Sequence, residues 1–221
     1  MCGRFHNHVK AMQQWGDVLQ DWPGDATLSY NISPTQLVPV VTSAGYITAR
    51  WGLVPPWEKQ FSTQYPTHNA RLETAKDKPS FRSAWKHSRT CLIPAGGFYE
   101  WRKEGSNKQA YFIHKPHDLL VFAGLWEQWN HRHSFTILTT GSQGSIAQLH
   151  HRMPVMLDAG NAARWLESST DGMDILQGSQ VFEAVDYYSV GAEVNNSGRE
   201  GAALVERCDA VLPGLPQNPT V

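Results

Sequence analysis

Short apolar runs of strand length outnumber stretches with helical spacing in this chain. Residues 9–22 carry apolar side chains at helical spacing, and Pro23-Gly24 ends the predicted helix. Two β-rich runs follow, joined by a turn over 43–45, which predicts a hairpin of Leu37–Thr42 and Tyr46–Leu53. Pro39 favours an edge position for the first strand, because proline cannot donate a ladder hydrogen bond.

The second half of the chain is predicted to be richer in strands. Runs of β-favouring residues predict strands over Thr90–Pro94, Phe98–Lys103, Ala110–His114, Leu119–Trp126, Ser134–Thr140, Pro154–Leu157 and Tyr187–Val190. Short helices are expected over Pro79–His87 and, capped by Asp158, over Ala159–Glu167. A long proline-rich loop over 54–67 is expected to expose Trp57.

The element pattern predicts an α+β fold, in which a compact β-rich single domain contains a closed or nearly closed barrel with a few short helices. We expect one domain over residues 1–221, with an irregular tail after about residue 205.

Composition narrows the classes of function. The formal net charge of −1 offers no overall basic field for bulk duplex DNA or an anionic membrane. Three cysteines without a CxxC pair indicate a reducing compartment. No stretch approaches about 18 apolar residues, and the start lacks a secretory apolar segment. We therefore expect a monomer without a membrane partner, in the cytoplasm or, in a nucleated cell, the nucleus.

The start of the chain, Met1-Cys2-Gly3-Arg4-Phe5, has distinctive chemistry. Aminopeptidase removal of Met1, which precedes a small residue, would leave Cys2 with an α-amine and a thiol on adjacent carbons. An α-amine has a pKa of about 7.7–8.0, against about 10.4 for lysine, so far more of it is neutral at pH 7. Such an amine condenses with an aldehyde to an imine, and the thiol can then close a thiazolidine ring. The alternative is that Cys2 is a small residue at a frayed terminus.

Three further residues could move protons or orient a substrate. Glu100 lies between two aromatic residues, and burial there would raise its pKa towards neutrality; the alternative is a carboxylate that faces water. His150 can shuttle protons near pH 7 or be a hydrogen-bonded structural histidine. Asn69 could orient an amine or a substrate oxygen, although asparagine is also common in turns.

Arginines and tryptophans beside these residues suggest a nucleic-acid ligand. Arg4, Arg71 and Arg152 could together hold phosphates, or they could be scattered surface charges. Trp57 and Trp101 could stack on nucleobases, while core packing is the alternative, chiefly for Trp101. The histidine pairs match no zinc motif, and phosphate-loop and dinucleotide fingerprints are absent, so we expect neither a metal nor a cofactor.

Six stretches in order resemble the SOS-response-associated peptidase (SRAP) family. They are Met1–Phe5, Tyr30-Asn31-Ile32-Ser33-Pro34-Thr35, Arg50-Trp51-Gly52-Leu53-Val54-Pro55-Pro56-Trp57, Asn69-Ala70-Arg71-Leu72-Glu73-Thr74, Cys91-Leu92-Ile93-Pro94 through Glu100-Trp101, and His150-x-Arg152-Met153-Pro154. The resemblance spans most of the chain, and residues 1–5 are its most specific part. The final thirty or so residues match less clearly.

The resemblance implies an abasic-site sensor that binds single-stranded DNA and forms a covalent thiazolidine crosslink through Cys2. It would make Cys2 the nucleophile, with Asn69 positioning the α-amine and the opened sugar. Glu100 would move protons, and His150 would assist imine chemistry and crosslink reversal. Abasic lyase activity and self-cleavage of the Met1–Cys2 bond are further activities that the resemblance allows. The implied DNA-binding residues are Arg4, Arg71, Arg152, Trp57, Trp101 and Thr139.

Two departures and two other functions stay open. His151 stands where the family often has an acidic residue, and Val194-Asn195-Asn196-Ser197 follows the family pattern only loosely. A thiol peptidase that uses Cys2, His150 and Asn69 is one alternative, because Cys–His–Asn is a recognised catalytic set. A non-catalytic module that binds single-stranded DNA is the other.

Overall fold

A computed structural model gives the fold. It describes residues 2–8, 15–16, 18–19, 28–104, 107–167, 172–177 and 181–208. The strands are β1 (Phe5–His6), β2 (Leu37–Thr42), β3 (Gly45–Trp51), β4 (Asn69–Arg71), β5 (Thr90–Ala95), β6 (Gly97–Glu104), β7 (Asn107–His114), β8 (Leu120–Trp129), β9 (Arg132–Gly141), β10 (Arg152–Pro154) and β11 (Asp186–Val190). The α-helices are α1 (Leu72–Ala75), α2 (Pro79–Lys86), α3 (Ala159–Glu167) and α4 (Gly172–Gln177), and short 3₁₀ turns cover 144–148, 181–184, 192–195 and 202–205.

Five strands close into a barrel, which confirms the predicted fold class. Their order is β9-β3-β2-β5-β8, and β8 pairs with β9 to complete the ring. β9 holds this arrangement together, since its first half pairs in parallel with β3 and its second half with β4. β10 pairs with the end of β9, beyond the stretch that β8 occupies.

A second sheet, in the order β1-β6-β7-β11, packs against the barrel. Its two-residue edge strand β1 pairs Phe5 with Phe98 of β6. The Phe5 ring meets the Trp51 ring of the barrel edge-on at 5.0 Å between centroids, and Phe122 at 6.2 Å. Edge-to-face aromatic pairs of this kind add to the area they bury, so Phe5 fixes the start of the chain to the shared core.

The predicted hairpin and the strands and helices of the second half are confirmed in kind, with small changes of bounds. Asp158 caps α3, because its Oδ1 accepts a hydrogen bond from the Asn161 amide at 2.9 Å. Pro79 begins α2, a position where a missing N–H costs nothing. The predicted helix over 9–22 lies mostly outside the described residues, as does most of the predicted irregular tail.

Two expectations are corrected. β2 is not an edge strand, because it lies between β3 and β5; proline is accommodated since the only pairing with β5 is at Val41. The strand expected at 154–157 begins earlier, as β10 at 152–154, where it pairs with β9. Residues 155–157 continue extended, with the Val155 and Leu157 amides bonded to Leu138 and Val121.

Among the described residues, no helix is both long and apolar enough to cross a membrane.

Candidate active site

Cys2 is fully buried at the junction of the barrel and the second sheet. The Tyr99 amide bonds to the Arg4 carbonyl at 2.9 Å, which extends the β1–β6 contact towards Cys2. The Cys2 carbonyl accepts a hydrogen bond of 2.7 Å from Nδ2 of Asn69. The main chain at Cys2 and just after it is therefore held by strands of two different sheets.

Asn69 begins β4 and is paired with Ile137 of β9 in the barrel wall. Its side chain is buried, and within the described part of the chain its Oδ1 accepts no hydrogen bond. A buried amide oxygen without a donor is costly. This oxygen is consequently available for a donor that a substrate, or a free amine on Cys2, would bring.

Glu100 lies on β6, and its side chain is almost completely buried. Burial raises the pKa of this carboxyl, because the charged form loses its hydration. Burial also raises the pKa of the Cys2 thiol, and the nearby Glu100 charge adds to the effect. The resting site therefore holds a protonated thiol beside a carboxyl that can exchange protons closer to neutral pH than an exposed glutamate.

His150 faces this carboxyl from the other side. Its Nδ1 lies 3.9 Å from Oε1 of Glu100. The same Nδ1 lies 3.0 Å from both the main-chain nitrogen and the main-chain oxygen of Arg152, so one tautomer accepts from the N–H and the other donates to the C=O. Burial lowers the pKa of His150, which keeps the ring neutral over a wider range of pH.

The three candidate arginines differ in how far they are already engaged. Arg4 donates through one nitrogen to Oδ1 of Asn31 at 2.7 Å and to the Val194 carbonyl at 2.8 Å. Arg152 is buried and forms an ion pair with Glu73. Arg71 is exposed at the end of β4, and its guanidinium makes no close ion pair with a described residue, although its charge lowers the pKa of Glu73 and of His151. Of the three, Arg71 is the most accessible to a phosphate.

The remaining candidates lie at different depths. Thr139 is buried on β9, where it is the register partner of Arg71. Trp101 is half-buried, donates to Oδ1 of Asn195 at 2.6 Å and lies under the Arg4 guanidinium at 5.8 Å from its ring centroid. Trp57 is 53% exposed on the loop before β4, as predicted, and no hydrogen bond or ring contact joins it to the other described candidates.

Three residues with a direct part in this arrangement were given no role in the sequence analysis. Asn31 fixes Arg4, Asn195 holds the Trp101 indole, and Glu73 binds Arg152. Asn31 and Glu73 lie inside motifs singled out above. Those motifs indicated the segments that form the site, but they did not indicate which side chains these two residues contact. Asn195 lies in the stretch 194–197, which follows the family pattern only loosely.

Nowhere in the described ranges do three or more His, Cys, Asp or Glu side chains converge in a way that could hold a metal ion. His151 is exposed, with its ring 4.3 Å from that of His150, and the charge of His150 lowers its pKa.

The barrel, the buried Cys2, Asn69 and Glu100, and the partly buried His150 define a class of protein in which a cysteine near the start of the chain is embedded in a mixed β-fold. The chain matches the model of the family described as SOS response associated peptidase (SRAP) over residues 1–197, and it belongs to that family.

Named relatives align over most of the chain. The abasic site processing protein YoqW of Bacillus subtilis (strain 168) is 34% identical over 227 residues, covering 93% of this chain and 99% of that protein. The abasic site processing protein HMCES of Xenopus tropicalis is 30% identical over 210 residues, covering 76% of this chain and 63% of that protein.

Solved structures share the fold. A protein from Bacteroides thetaiotaomicron matches with a TM-score of 0.74 at 24% identity, covering 94% of this chain and 100% of that one. A phage-related protein from Bordetella bronchiseptica matches with a TM-score of 0.67 at 27% identity, covering 87% of this chain and 95% of that one.

Proposed function

We propose that this protein captures abasic sites in single-stranded DNA by forming a thiazolidine crosslink through Cys2 once Met1 has been removed. The relatives named as abasic site processing proteins support the substrate class. We further propose that the protein acts as a monomer on DNA in the cytoplasm or nucleoid, or in the nucleus of a nucleated cell.

The observation that carries the proposal is the convergence of Cys2, Asn69, Glu100 and His150. Nδ2 of Asn69 donates to the Cys2 carbonyl at 2.7 Å. The charge of Glu100 helps to raise the pKa of the Cys2 thiol, and Nδ1 of His150 lies 3.9 Å from Oε1 of Glu100. These residues come from four separate segments, and the site has a nucleophile, two groups able to exchange protons and one free amide oxygen. Imine formation at an aldehyde needs a nucleophile and proton carriers of this kind.

The proposed reaction has two steps, imine formation and ring closure. An abasic sugar in its ring-opened form carries an aldehyde, which the neutral α-amine of Cys2 attacks to give a carbinolamine. Loss of water leaves an imine, with Glu100 or His150 supplying the proton that the departing hydroxide needs. The thiol then adds across the C=N bond, so that sulfur binds the carbon and its proton ends on nitrogen. The net change is the loss of one water molecule.

Burial of the thiol suits the second step. The raised pKa of Cys2 keeps the sulfur protonated until the imine forms, and we assign Glu100, whose charge contributes to that raised pKa, as the acceptor of the thiol proton during ring closure. Ring closure removes the imine, which would otherwise promote β-elimination and strand cleavage as in a lyase. Reversal retraces these steps, and the same proton carriers would serve it.

DNA contacts are proposed for the residues around this group. Arg71 is exposed, its guanidinium makes no close ion pair among the described residues, and we assign it a phosphate. Trp57, with its exposed ring, suits base stacking, and Trp101 suits a contact beside Arg4. Thr139 would line the pocket on the His150 side. The formal net charge of −1 fits a short single-stranded site better than a long duplex track.

The experiment is intact-mass spectrometry of the purified protein before and after incubation with a single-stranded oligonucleotide that has one abasic site. We expect the starting mass to lack Met1, and a heat-stable gain equal to the oligonucleotide less one water. Cys2→Ser should give no such adduct, while Cys208→Ser, which changes a partly exposed cysteine outside the site, should behave like the wild type. No adduct from a protein that lacks Met1 would refute the proposal.

The two alternatives are separated by the same samples. A thiol peptidase needs a thiolate at working pH, and the raised pKa of the Cys2 thiol opposes this. Cleavage of added peptides without an adduct would favour the peptidase. Equal DNA affinity of the wild type and Cys2→Ser, again without an adduct, would favour a module that only binds.

A further inference from the structure

A two-pronged ion pair joins α1 to β10. Two guanidinium nitrogens of Arg152 donate to the two carboxylate oxygens of Glu73, at 2.7 and 2.9 Å. The hydrogen bonds from Arg152 lower the pKa of Glu73, so the carboxylate stays ionised. A fork of this geometry fixes the direction of the guanidinium as well as its position.

The same guanidinium is anchored a second time on β9. One of its nitrogens donates to the Thr139 carbonyl at 2.6 Å, with the Thr139 hydroxyl oxygen at 3.3 Å. Arg152 itself is 9% exposed. A buried guanidinium with this many acceptors is held in place. Because Nη1 and Nη2 already donate to these acceptors, binding of an incoming phosphate is disfavoured.

The main chain of Arg152 in turn holds His150. Both its N–H and its C=O lie 3.0 Å from Nδ1 of the imidazole, which in turn lies 3.9 Å from Oε1 of Glu100. Contacts therefore run without a break from Glu73 through Arg152 to the imidazole that faces Glu100. Glu73 lies four positions after Asn69, so the ion pair also connects the segment that holds Cys2 to the one that carries His150.

We propose that Glu73 is a positioning residue, which orients the His150 imidazole by fixing Arg152 and thereby the main chain that contacts Nδ1. This deepens the proposed function and rests on it for the reaction step. Glu73 itself is half-exposed and would touch neither the DNA nor the reacting atoms. Because the Glu73 side of the pair is half-exposed, solvent screening limits what the pair contributes to stability, and we assign it a geometric role.

The test is Glu73→Gln, which keeps the size of the side chain and removes its charge. Glu206→Gln is the matched control, since Glu206 is exposed at the end of the described chain. Non-covalent affinity for an intact single-stranded oligonucleotide and the maximal crosslinking rate at saturating abasic DNA are measured separately. We expect a maximal rate reduced about tenfold or more in Glu73→Gln, with affinity within about twofold, because a misplaced catalytic group costs rate and not binding.

A second comparison tests whether the effect passes through Arg152. In an Arg152→Gln background, adding Glu73→Gln should have no further effect on the maximal rate, since coupled residues are not additive. Thermal unfolding of each variant shows that the compared proteins are folded.

A third readout needs no reaction. The nitrogen-15 shifts of the His150 ring in the free protein report its tautomer, and they should change in Glu73→Gln and stay as in the wild type in Glu206→Gln. The ring shifts test the positioning role of Glu73 without a reaction, so the two proposals can be tested separately. Absence of any crosslink in the wild type would defeat the proposed function alone. An unchanged rate and unchanged ring shifts in Glu73→Gln would overturn the positioning role. So would tighter DNA binding at an unchanged rate, because Glu73 would then be competing with phosphate for Arg152.

Discussion

The side-chain amide of Asn69 donates a 2.7 Å hydrogen bond to the main-chain carbonyl of Cys2, a residue 67 positions earlier in the chain. The contact joins the first residues of the chain to the barrel wall through a strand of only three residues. Both partners are buried, so neither can exchange this bond for one with water without moving.

Asn69→Ala should therefore affect both stability and crosslinking. Removing the donor leaves the Cys2 carbonyl buried and unpaired at this position, which costs about 1–3 kcal/mol of unfolding free energy. We expect the crosslinking rate to fall on the order of a hundredfold, because the nucleophile loses its position. Urea unfolding and single-turnover crosslinking check the two parts. Asn161→Ala, at the start of α3, should crosslink at the wild-type rate, and an Asn69→Ala protein as active as this control would contradict the prediction.

Arg71→Ala should weaken binding of single-stranded DNA without affecting the fold. Its guanidinium is exposed and makes no close ion pair among the described residues, so truncation removes an exposed charge and leaves no buried ion-pair partner. For one lost phosphate contact on a single strand, the slope of log affinity against log salt should become shallower by about 0.7.

The matched control for this charge is Arg82→Ala, an exposed arginine on α2 away from Cys2. Fluorescence anisotropy at several salt concentrations measures both variants. Equal salt slopes for Arg71→Ala and Arg82→Ala would show that Arg71 binds no phosphate.

Glu100→Gln should make stability less dependent on pH. Burial raises the pKa of Glu100 in the folded state, so its contribution is fully present below the unfolded pKa and is lost as the pH rises through the folded value. Glutamine cannot ionise and escapes this loss, so the variant should gain stability relative to the wild type across that window.

The crosslinking rate of Glu100→Gln should fall, although its stability rises. Loss of a proton carrier slows such steps by about 10²–10⁴-fold, so the more stable variant should be the less active one. Urea unfolding across a pH series, together with crosslinking rates, checks both. Parallel stability curves for the two proteins would mean that Glu100 titrates as an exposed carboxyl.

Gly96→Ala should loosen the start of the chain. A β-carbon at Gly96 would lie 2.3 Å from Cε1 of His6 and 2.7 Å from the His8 carbonyl oxygen, so the main chain after β1 would have to shift. Overpacking of this kind costs about 1–3 kcal/mol. Gly141→Ala is the control, because a β-carbon there meets nothing within 4 Å. Calorimetry should show a lower melting temperature for Gly96→Ala alone, and equal melting temperatures would contradict the argument.

Local sequence was sufficient for most individual elements. Runs of β-favouring residues and the turn over 43–45 predicted the β2–β3 hairpin, and short helices were predicted from Pro79 and, with Asp158 as the cap, from Ala159. These features depend on neighbours within a few positions, which is why pattern and propensity suffice. Pro39 shows the limit, because its effect depends on which strand lies alongside, and that strand pairs through Leu92, which is 51 positions after its partner Val41.

The chemistry at Cys2 was likewise visible in the sequence, since adjacent amine and thiol groups need only the covalent chain. What only the tertiary structure decided is which groups surround them. β9 pairs with β3, β4, β8 and β10. Through β4 and β10 these pairings place Asn69 and the His150 segment beside Cys2 and beside Glu100, which lies on the second sheet. The ion pair of Glu73 with Arg152 arises in the same way. Such pairings are selected by burial of one shared core over the whole chain, and no local pattern records them.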